Sequence, residues 1–252
     1  MTNPFSLENE TTLVTGGATG IGFAIARSFV EAGARVIICG RSEETLADAV
    51  AALGSNAAYR IHDVTELDRA GDFIDGIERD FGPLTILVNN AGSHLKKPAV
   101  EITTAEFQKI LDVHVLAAHA LTAAAGRGML ERGRGSVLFI ASMASLFGIP
   151  QVLAYSAAKT AHLGMVRTLA TEWGPRGVRV NAIAPGWIQT EMMRKAVDSD
   201  PARKAKILGR TPLGVFGETE DIGRAAVYLS SPAAKFVTGV CLPVDGGASI
   251  GF

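Results

Sequence analysis

The sequence predicts an α/β fold: one doubly wound, mainly parallel sheet of seven strands with helices on both faces. Three observations predict it. Short apolar runs alternate with helical stretches of ten or more residues from start to end. Several of the runs are almost continuously apolar, as strands are when helices cover both faces of a parallel sheet. Parallel strands joined by helices need right-handed crossovers, and a doubly wound sheet is the economical way to supply them.

In chain order, the strands are predicted at 11–15, 36–39, 57–61, 86–89, 136–140, 179–182 and 240–242. The helices are predicted at 20–32, 43–53, 66–81, 104–132 and 152–173. Residues 192–220 break the alternation, with Asp198-Ser199-Asp200-Pro201, a basic stretch through Lys206 and then Thr211-Pro212. This segment reads as a short helical excursion after a strand end. Ligands bind at the carboxyl ends of strands in such sheets, so it is placed as a lid at about 191–217. No repeat, low-complexity tract or linker divides the chain, so residues 1–252 are expected to form a single domain.

Of the 252 residues, 48% are apolar, enough for a sizeable core, and the formal net charge is −1. Nothing in that balance suggests a nucleic-acid or membrane-surface partner. Cys39 and Cys241 each sit in an apolar run and read as buried free thiols, not as a disulfide or metal site. The first ten residues are polar, and no apolar run approaches the ~20 residues that span a bilayer. A soluble cytoplasmic protein is the expectation.

Thr15-Gly16-Gly17-Ala18-Thr19-Gly20-Ile21-Gly22 lies between the first strand and first helix. Glycines let the backbone turn tightly and approach a pyrophosphate, and the helix start offers free N–H groups and the positive end of its dipole. The spacing is G-x-x-x-G-x-G, so the loop alone is weak evidence, and its placement makes a nucleotide the favoured reading. At the end of the second strand stand Gly40, Arg41 and Ser42, with no carboxylate. Arg41 suits a ribose 2′-phosphate, which favours NADP(H) and leaves NAD(H) possible. Against this stands a plain structural role for Arg41, capping the strand and stacking on adenine.

Tyr155 and Lys159 stand four residues apart, on one face of a predicted helix. A phenol titrating near ~10 is a poor acid or base at neutral pH, and a cation beside it stabilises the phenolate. Ser142 falls just past the fifth strand, at the edge where such sheets bind ligands.

The glycine loop, Asn89-Asn90-Ala91-Gly92, Ser142, Tyr155-x-x-x-Lys159 and Pro185-Gly186 together closely resemble the short-chain dehydrogenase/reductase family. The resemblance runs from Thr11 to Gly247 and implies a Rossmann-type fold. Within the family the chain looks most like the gluconate 5-dehydrogenase and 3-oxoacyl-carrier-protein reductase groups. The resemblance implies Tyr155 as acid/base, Ser142 as hydrogen-bond donor to the substrate oxygen, and Lys159 holding the nicotinamide ribose and lowering the Tyr155 pKa. It implies Gly16, Thr19, Gly20, Ile21 and Gly22 around the pyrophosphate, and Asp63 and Val64 at the adenine. Asn90, Ala91 and Gly92 would flank the adenine-side ribose, while Pro185, Gly186, Ile188 and Thr190 would hold the nicotinamide end. Asn89 and Asn90 also read as amides that pin neighbouring backbone.

One position departs from the family pattern. His114 stands where the resemblance implies an asparagine that helps hold a water on a proton path behind the lysine. A neutral imidazole donates and accepts once each, so His114 is read as a relay group, or else as a buried helix histidine with a backbone partner. His62, His119 and His162 read as structural, and His94 as a loop residue within reach of substrate.

The predicted pocket lining mixes apolar Met143, Leu146, Phe147 and Leu153 with Lys96, Lys97, Arg194 and Lys195. The expected substrate contacts are Ser142, His94, Met143, Leu153 and Tyr155. The expected reaction interconverts a secondary alcohol and a ketone on a polyol, sugar acid or similar small substrate. A 3-oxoacyl thioester is the alternative, and a weakly catalytic cofactor-binding redox sensor or scaffold is the reading from another class. The resemblance implies a homo-oligomer, dimer or tetramer, packed through the two long helices and the last strand. The alanine-rich stretches at 117–118 and 123–125 suit such packing, or packing inside the subunit.

Overall fold

The computed structural model describes residues 3–190, 193 and 200–251. Seven parallel strands form one sheet: β1 Thr11–Thr15, β2 Arg35–Gly40, β3 Ala57–Ile61, β4 Ile86–Asn89, β5 Gly135–Ile140, β6 Val178–Pro185 and β7 Cys241–Val244. Their order across the sheet is β3-β2-β1-β4-β5-β6-β7. The order reverses between β1 and β4, and loops diverging there open the crevice where such sheets take ligands.

The helices are α1 Gly20–Glu31, α2 Glu43–Leu53, α3 Ala70–Phe81, α4 Thr104–Leu111, α5 Ala117–Arg132, α6 Leu153–Trp173, α7 Pro201–Arg210 and α8 Thr219–Ser230. The sheet splits the core by the strand period of two. Leu13, Ile37, Leu87, Val137, Phe139 and Val180 point to one side, where α3, α5 and α6 add Ile77, Leu121 and Val166. Val14, Ile38, Val88, Leu138 and Ile183 point to the other, where α1, α2 and α8 add Phe29, Leu46 and Ile222.

Two predicted elements change. The helix expected over 104–132 is interrupted by a five-residue π-helical turn, Asp112–Leu116, that separates α4 from α5. Such turns insert a residue into the i→i−4 ladder and re-aim the side chains around them. The helix α8, packed on α1, was not predicted, because the break at 192–220 obscured its start. There Glu218 and Asp221 form a reciprocal cap. Ala117, Ala118 and Ala125 pack inside the subunit, buried against β4 and β5 in the core, one of the two placements expected of the alanine-rich stretches. Part of the expected lid, including Met192, Arg194 and Lys195, lies outside the described residues; α7 and the turn to Gly217 are its described part.

Candidate active site

The site gathers at the carboxyl ends of β1, β2, β4, β5 and β6. At the first of these, the glycine loop has no room for a side chain at Gly17 or Gly22: a Cβ on Gly22 would lie 2.2 Å from the Gly16 carbonyl oxygen. Gly16 itself is left-handed, at φ 63°. The amide of Asn90 donates to the carbonyls of Thr15 and Gly16 at 2.9 and 3.1 Å, and the Thr15 hydroxyl accepts the N–H groups of Asn90 and Ala91. Asn90 is therefore the pin that fixes the loop against β4, as its side-chain chemistry predicted.

Beside this loop lies a cavity of about 680 Å³ lined by Gly16, Gly40, Arg41, Asp63, Val64, Ala91, Gly92 and their neighbours. Its volume and its bare glycine edge fit the adenosine half of a dinucleotide. Arg41 is exposed at its rim and close enough to Asp63 to help hold that carboxyl below its usual range. The larger cause is the pair of hydrogen bonds from the Thr65 N–H and hydroxyl. Ser42 is placed differently from expectation. Its hydroxyl caps α2, accepting from the Thr45 N–H at 3.4 Å and the Thr45 hydroxyl at 3.0 Å, and it does not line this cavity.

A second cavity, about 670 Å³, opens on the other side of the loop. Ser142, Tyr155, His94, Met143, Ile21, Gly186, Ile188 and Thr190 all line it. Thr19 and Gly20 are exposed at the start of α1, and Pro185 is the buried last residue of β6. Ser142 accepts the Ala144 N–H at 3.1 Å and hydrogen-bonds the Tyr155 phenol. The His94 ring lies 5.1 Å from that of Tyr155.

Leu153 does not line this cavity, contrary to expectation, and neither does Leu146. Leu153 precedes Tyr155 by two residues on α6, which turns it to the opposite side of the helix, where it is exposed. Lys97 is also removed from the pocket, paired with Glu106 at 3.0 Å. Trp187 also lines it and was not foreseen; Gln151 falls within the expected wall from Met143 to Leu153, and Lys206 and Arg210 within the expected lid. Lys206 and Arg210 stand one helical turn apart on α7.

Lys159 is buried, and its ammonium donates to the Ile140 carbonyl at 2.5 Å. Burial pushes its pKa down to about 7. Its Nζ lies 5.7 Å from the Tyr155 ring centre. The lowering of the Tyr155 pKa by Lys159 that the resemblance implies is not among the influences on the phenol here. Burial raises the phenol above its usual value, and only the Ser142 hydrogen bond pulls it down.

His114 sits in the π-helical turn with its ring edge-on to Tyr155, 5.5 Å between centres. Its Nε2 lies 2.7 Å from the Ser93 carbonyl oxygen and 3.1 Å from the Ser93 nitrogen. Gly92 makes room: a Cβ there would fall 2.2 Å from the ring. Burial, then the nearby Lys159, push His114 down to about 3. It is thus a neutral, backbone-anchored imidazole, and the titration near neutrality expected for a relay is absent.

The cavity pair and the Ser142, Tyr155 and Lys159 group define a dinucleotide-dependent oxidoreductase site of Rossmann type. Residues 16–249 match the family profile described as Enoyl-(Acyl carrier protein) reductase. The gluconate 5-dehydrogenase of Gluconobacter oxydans is 37% identical over 98% of this chain and 97% of its own. The galactitol 2-dehydrogenase (L-tagatose-forming) of Cereibacter sphaeroides is 39% identical over 98% and 97%. Among solved structures, a gluconate 5-dehydrogenase from Burkholderia cenocepacia in complex with NADP and tartrate superposes with a TM-score of 0.93 at 32% identity, over 99% of this chain and 98% of that one. The chain belongs to the short-chain dehydrogenase/reductase family and is an NAD(P)-dependent oxidoreductase acting between secondary alcohols and ketones.

Proposed function

We propose that this enzyme uses NADP(H) in preference to NAD(H) and acts on a small polyhydroxy carboxylate, a sugar acid or its keto form. When bound, the nicotinamide gives or takes the hydride. The chain supplies everything else. Gly16, Thr19, Gly20, Ile21 and Gly22 bind the pyrophosphate, and Arg41, beside Ser42, takes the 2′-phosphate. Asp63 and Val64 hold the adenine, and Ala91 and Gly92, fixed by Asn90, hold its ribose. Pro185, Gly186, Ile188 and Thr190 hold the nicotinamide end, and Lys159 its ribose. The Tyr155 oxygen exchanges a proton with the substrate oxygen, to which Ser142 also hydrogen-bonds. His94 and Met143 border the substrate, and His114 positions the loop at Ser93.

One observation carries the substrate class. The basic residues lining the pocket are Lys96, Lys206, Arg210 and His94, and no carboxylate lines it among the described residues. A cleft of one sign concentrates substrates of the other. The relative from Gluconobacter is named for gluconate, and the Burkholderia structure holds tartrate, a hydroxy acid. The test is kcat/KM for aldonates and for alditols of equal carbon number, with each cofactor. Preference for the acid with NADP is expected; equal rates for acid and alditol overturn the substrate class.

The apolar part of the wall, Phe147, Ile149, Pro150, Val152 and Ile207, favours a second reading, a 3-oxoacyl thioester. An acetoacetyl thioester in the same panel measures it. Residues 191–217 act as the lid in this proposal, within a single domain. A cytoplasmic homotetramer completes it, supported by the free thiols Cys39 and Cys241 and by the exposed Val100, Phe236 and Ile250. Among the described residues no helix is long and apolar enough to cross a membrane.

A further inference from the structure

Tyr155, Lys159 and His162 follow one another along one face of α6 at spacings of four and three. His162 is 1% exposed and stands directly behind the lysine. Its Nε2 contacts the His114 carbonyl oxygen at 2.7 Å, and the Ile140 carbonyl also contributes to its hydrogen bonding. That same Ile140 carbonyl receives the Lys159 ammonium. His162 thus ties the end of β5 to the π-helical turn at the point where Lys159 is anchored.

The protonation pattern follows from these partners. A carbonyl offers no hydrogen, so His162 carries its proton on Nε2 and presents a bare lone pair at Nδ1. His114 Nε2 meets both the Ser93 N–H, at 3.1 Å, and the Ser93 carbonyl oxygen, at 2.7 Å; the shorter contact to the carbonyl favours the same tautomer. Neither Nδ1 has a partner among the described residues. A third buried acceptor is in the same state. Asn89 donates its amide to the Thr122 hydroxyl at 2.9 Å, and its Oδ1 has no partner among the described residues.

Asn89, His114 and His162 all line one small cavity of about 10 Å³. The hydroxyl of Thr15, also on its wall, is used by the Val88 carbonyl and the N–H groups of Asn90 and Ala91. The remaining wall is Val64, Ala91, Val113, Ala117, Ala118 and Leu121, which offers no side-chain donor. Space for one water, ringed by acceptors that lack a donor, is the setting in which internal water is held.

We propose that Asn89, His114 and His162 hold one internal water, and that this hydrated imidazole pair positions Lys159 for the reaction. The water's two O–H groups serve two of the three orphaned acceptors at a time. The imidazoles then stay neutral and rigid, and each fixes a backbone carbonyl or loop beside the lysine. Burial, with the charge of Lys159 next, holds His162 down to about 3, in accord with a neutral ring. The assignment rests on the dehydrogenase reading for its catalytic consequence, but the water site stands on geometry alone.

A high-resolution crystal structure of the unliganded chain tests the site: an ordered water within hydrogen-bond distance of at least two of the three atoms is expected, and a dry cavity overturns it. Kinetics test the role. His162→Leu is expected to lower kcat by about 10²-fold, the cost of a small misplacement at a reacting centre, and to shift the pH–kcat profile. His162→Gln, which can donate to the His114 carbonyl and accept from the water, is expected to restore most of kcat and the wild-type profile. If Leu and Gln variants lose activity alike with an unshifted profile, or if Leu retains full activity, the positioning role is wrong. A failure of every substrate in the panel, with the water present, would count against the dehydrogenase reading alone.

Discussion

The Lys159 ammonium donates to the Ile140 carbonyl at 2.5 Å, so the cation of the site is pinned to the end of β5 before any cofactor arrives. Its burial brings the pKa to about 7, far below the ~10.4 of a free lysine. The folded chain therefore binds fewer protons here than the unfolded chain between these values, and this group's contribution to stability improves as pH rises through that window. At pH 6 the buried charge is present and unfavourable. Replacing Lys159 with Met should abolish most turnover while raising Tm relative to wild type at pH 6. The gain should shrink toward pH 9, because the wild-type lysine is then neutral. Thermal unfolding of both proteins at the two pH values reads this; a pH-independent difference would refute the titration.

Tyr155 has its phenol raised by burial and lowered only by Ser142. Tyr155→Phe keeps the ring and its contacts with His94 and His114, and removes the hydroxyl, with its exchangeable proton and its Ser142 hydrogen bond. Turnover should fall by about 10²–10⁴-fold, the usual worth of general acid–base catalysis. NADPH affinity, followed by fluorescence titration, should change little. Loss of NADPH binding in parallel with turnover would show a structural role instead.

Arg41 has no ion-pair partner at its rim position that would need it for folding, among the described residues, beyond its long-range effect on Asp63. Charge-assisted hydrogen bonds contribute about 1.5–3 kcal/mol, or roughly 10–150-fold in binding. Arg41→Ala should lower kcat/KM with NADPH by that factor and leave NADH nearly untouched. Equal losses with both cofactors would assign Arg41 to adenine stacking.

Most of the frame was legible because its signals are local. The strand at 57–61 and the helix at 43–53 match the structure to the residue, since apolar runs and their breakers sit side by side in sequence. Tyr155, Lys159 and Ser142 were legible through spacing. What escaped depends on distant partners. The π-helical turn at Asp112–Leu116 has the same apolar pattern as the helix around it, and it exists because His114 meets Ser93 and His162 across the fold. His162 read only as structural, because nothing local shows that two carbonyls converge on it. Leu153 was misplaced by proximity in sequence, where the helix angle sets direction. Lys206 and Arg210 were legible only as part of a lid, because α7 lies in the segment where the alternation fails.

His114 and His162 are both held near 3, against ~6.5 for a free imidazole. The unfolded chain takes up protons at these positions below ~6.5 and the folded chain does not, so their contribution is fully present above that pH and is lost as pH falls toward 3. Each group can add up to about 1.4 kcal/mol of lost stability per pH unit inside the window. His114→Asn removes one of the two. Its amide can serve the Ser93 backbone, and the hydrogen of Gly92 leaves space beside it, so substantial activity at pH 7.5 is expected. Urea unfolding at a series of pH values between 7 and 4 should then show a shallower decline for His114→Asn than for wild type. Identical slopes would mean that His114 titrates normally in the folded chain, and that the burial which defines its place beside Tyr155 does not hold in solution.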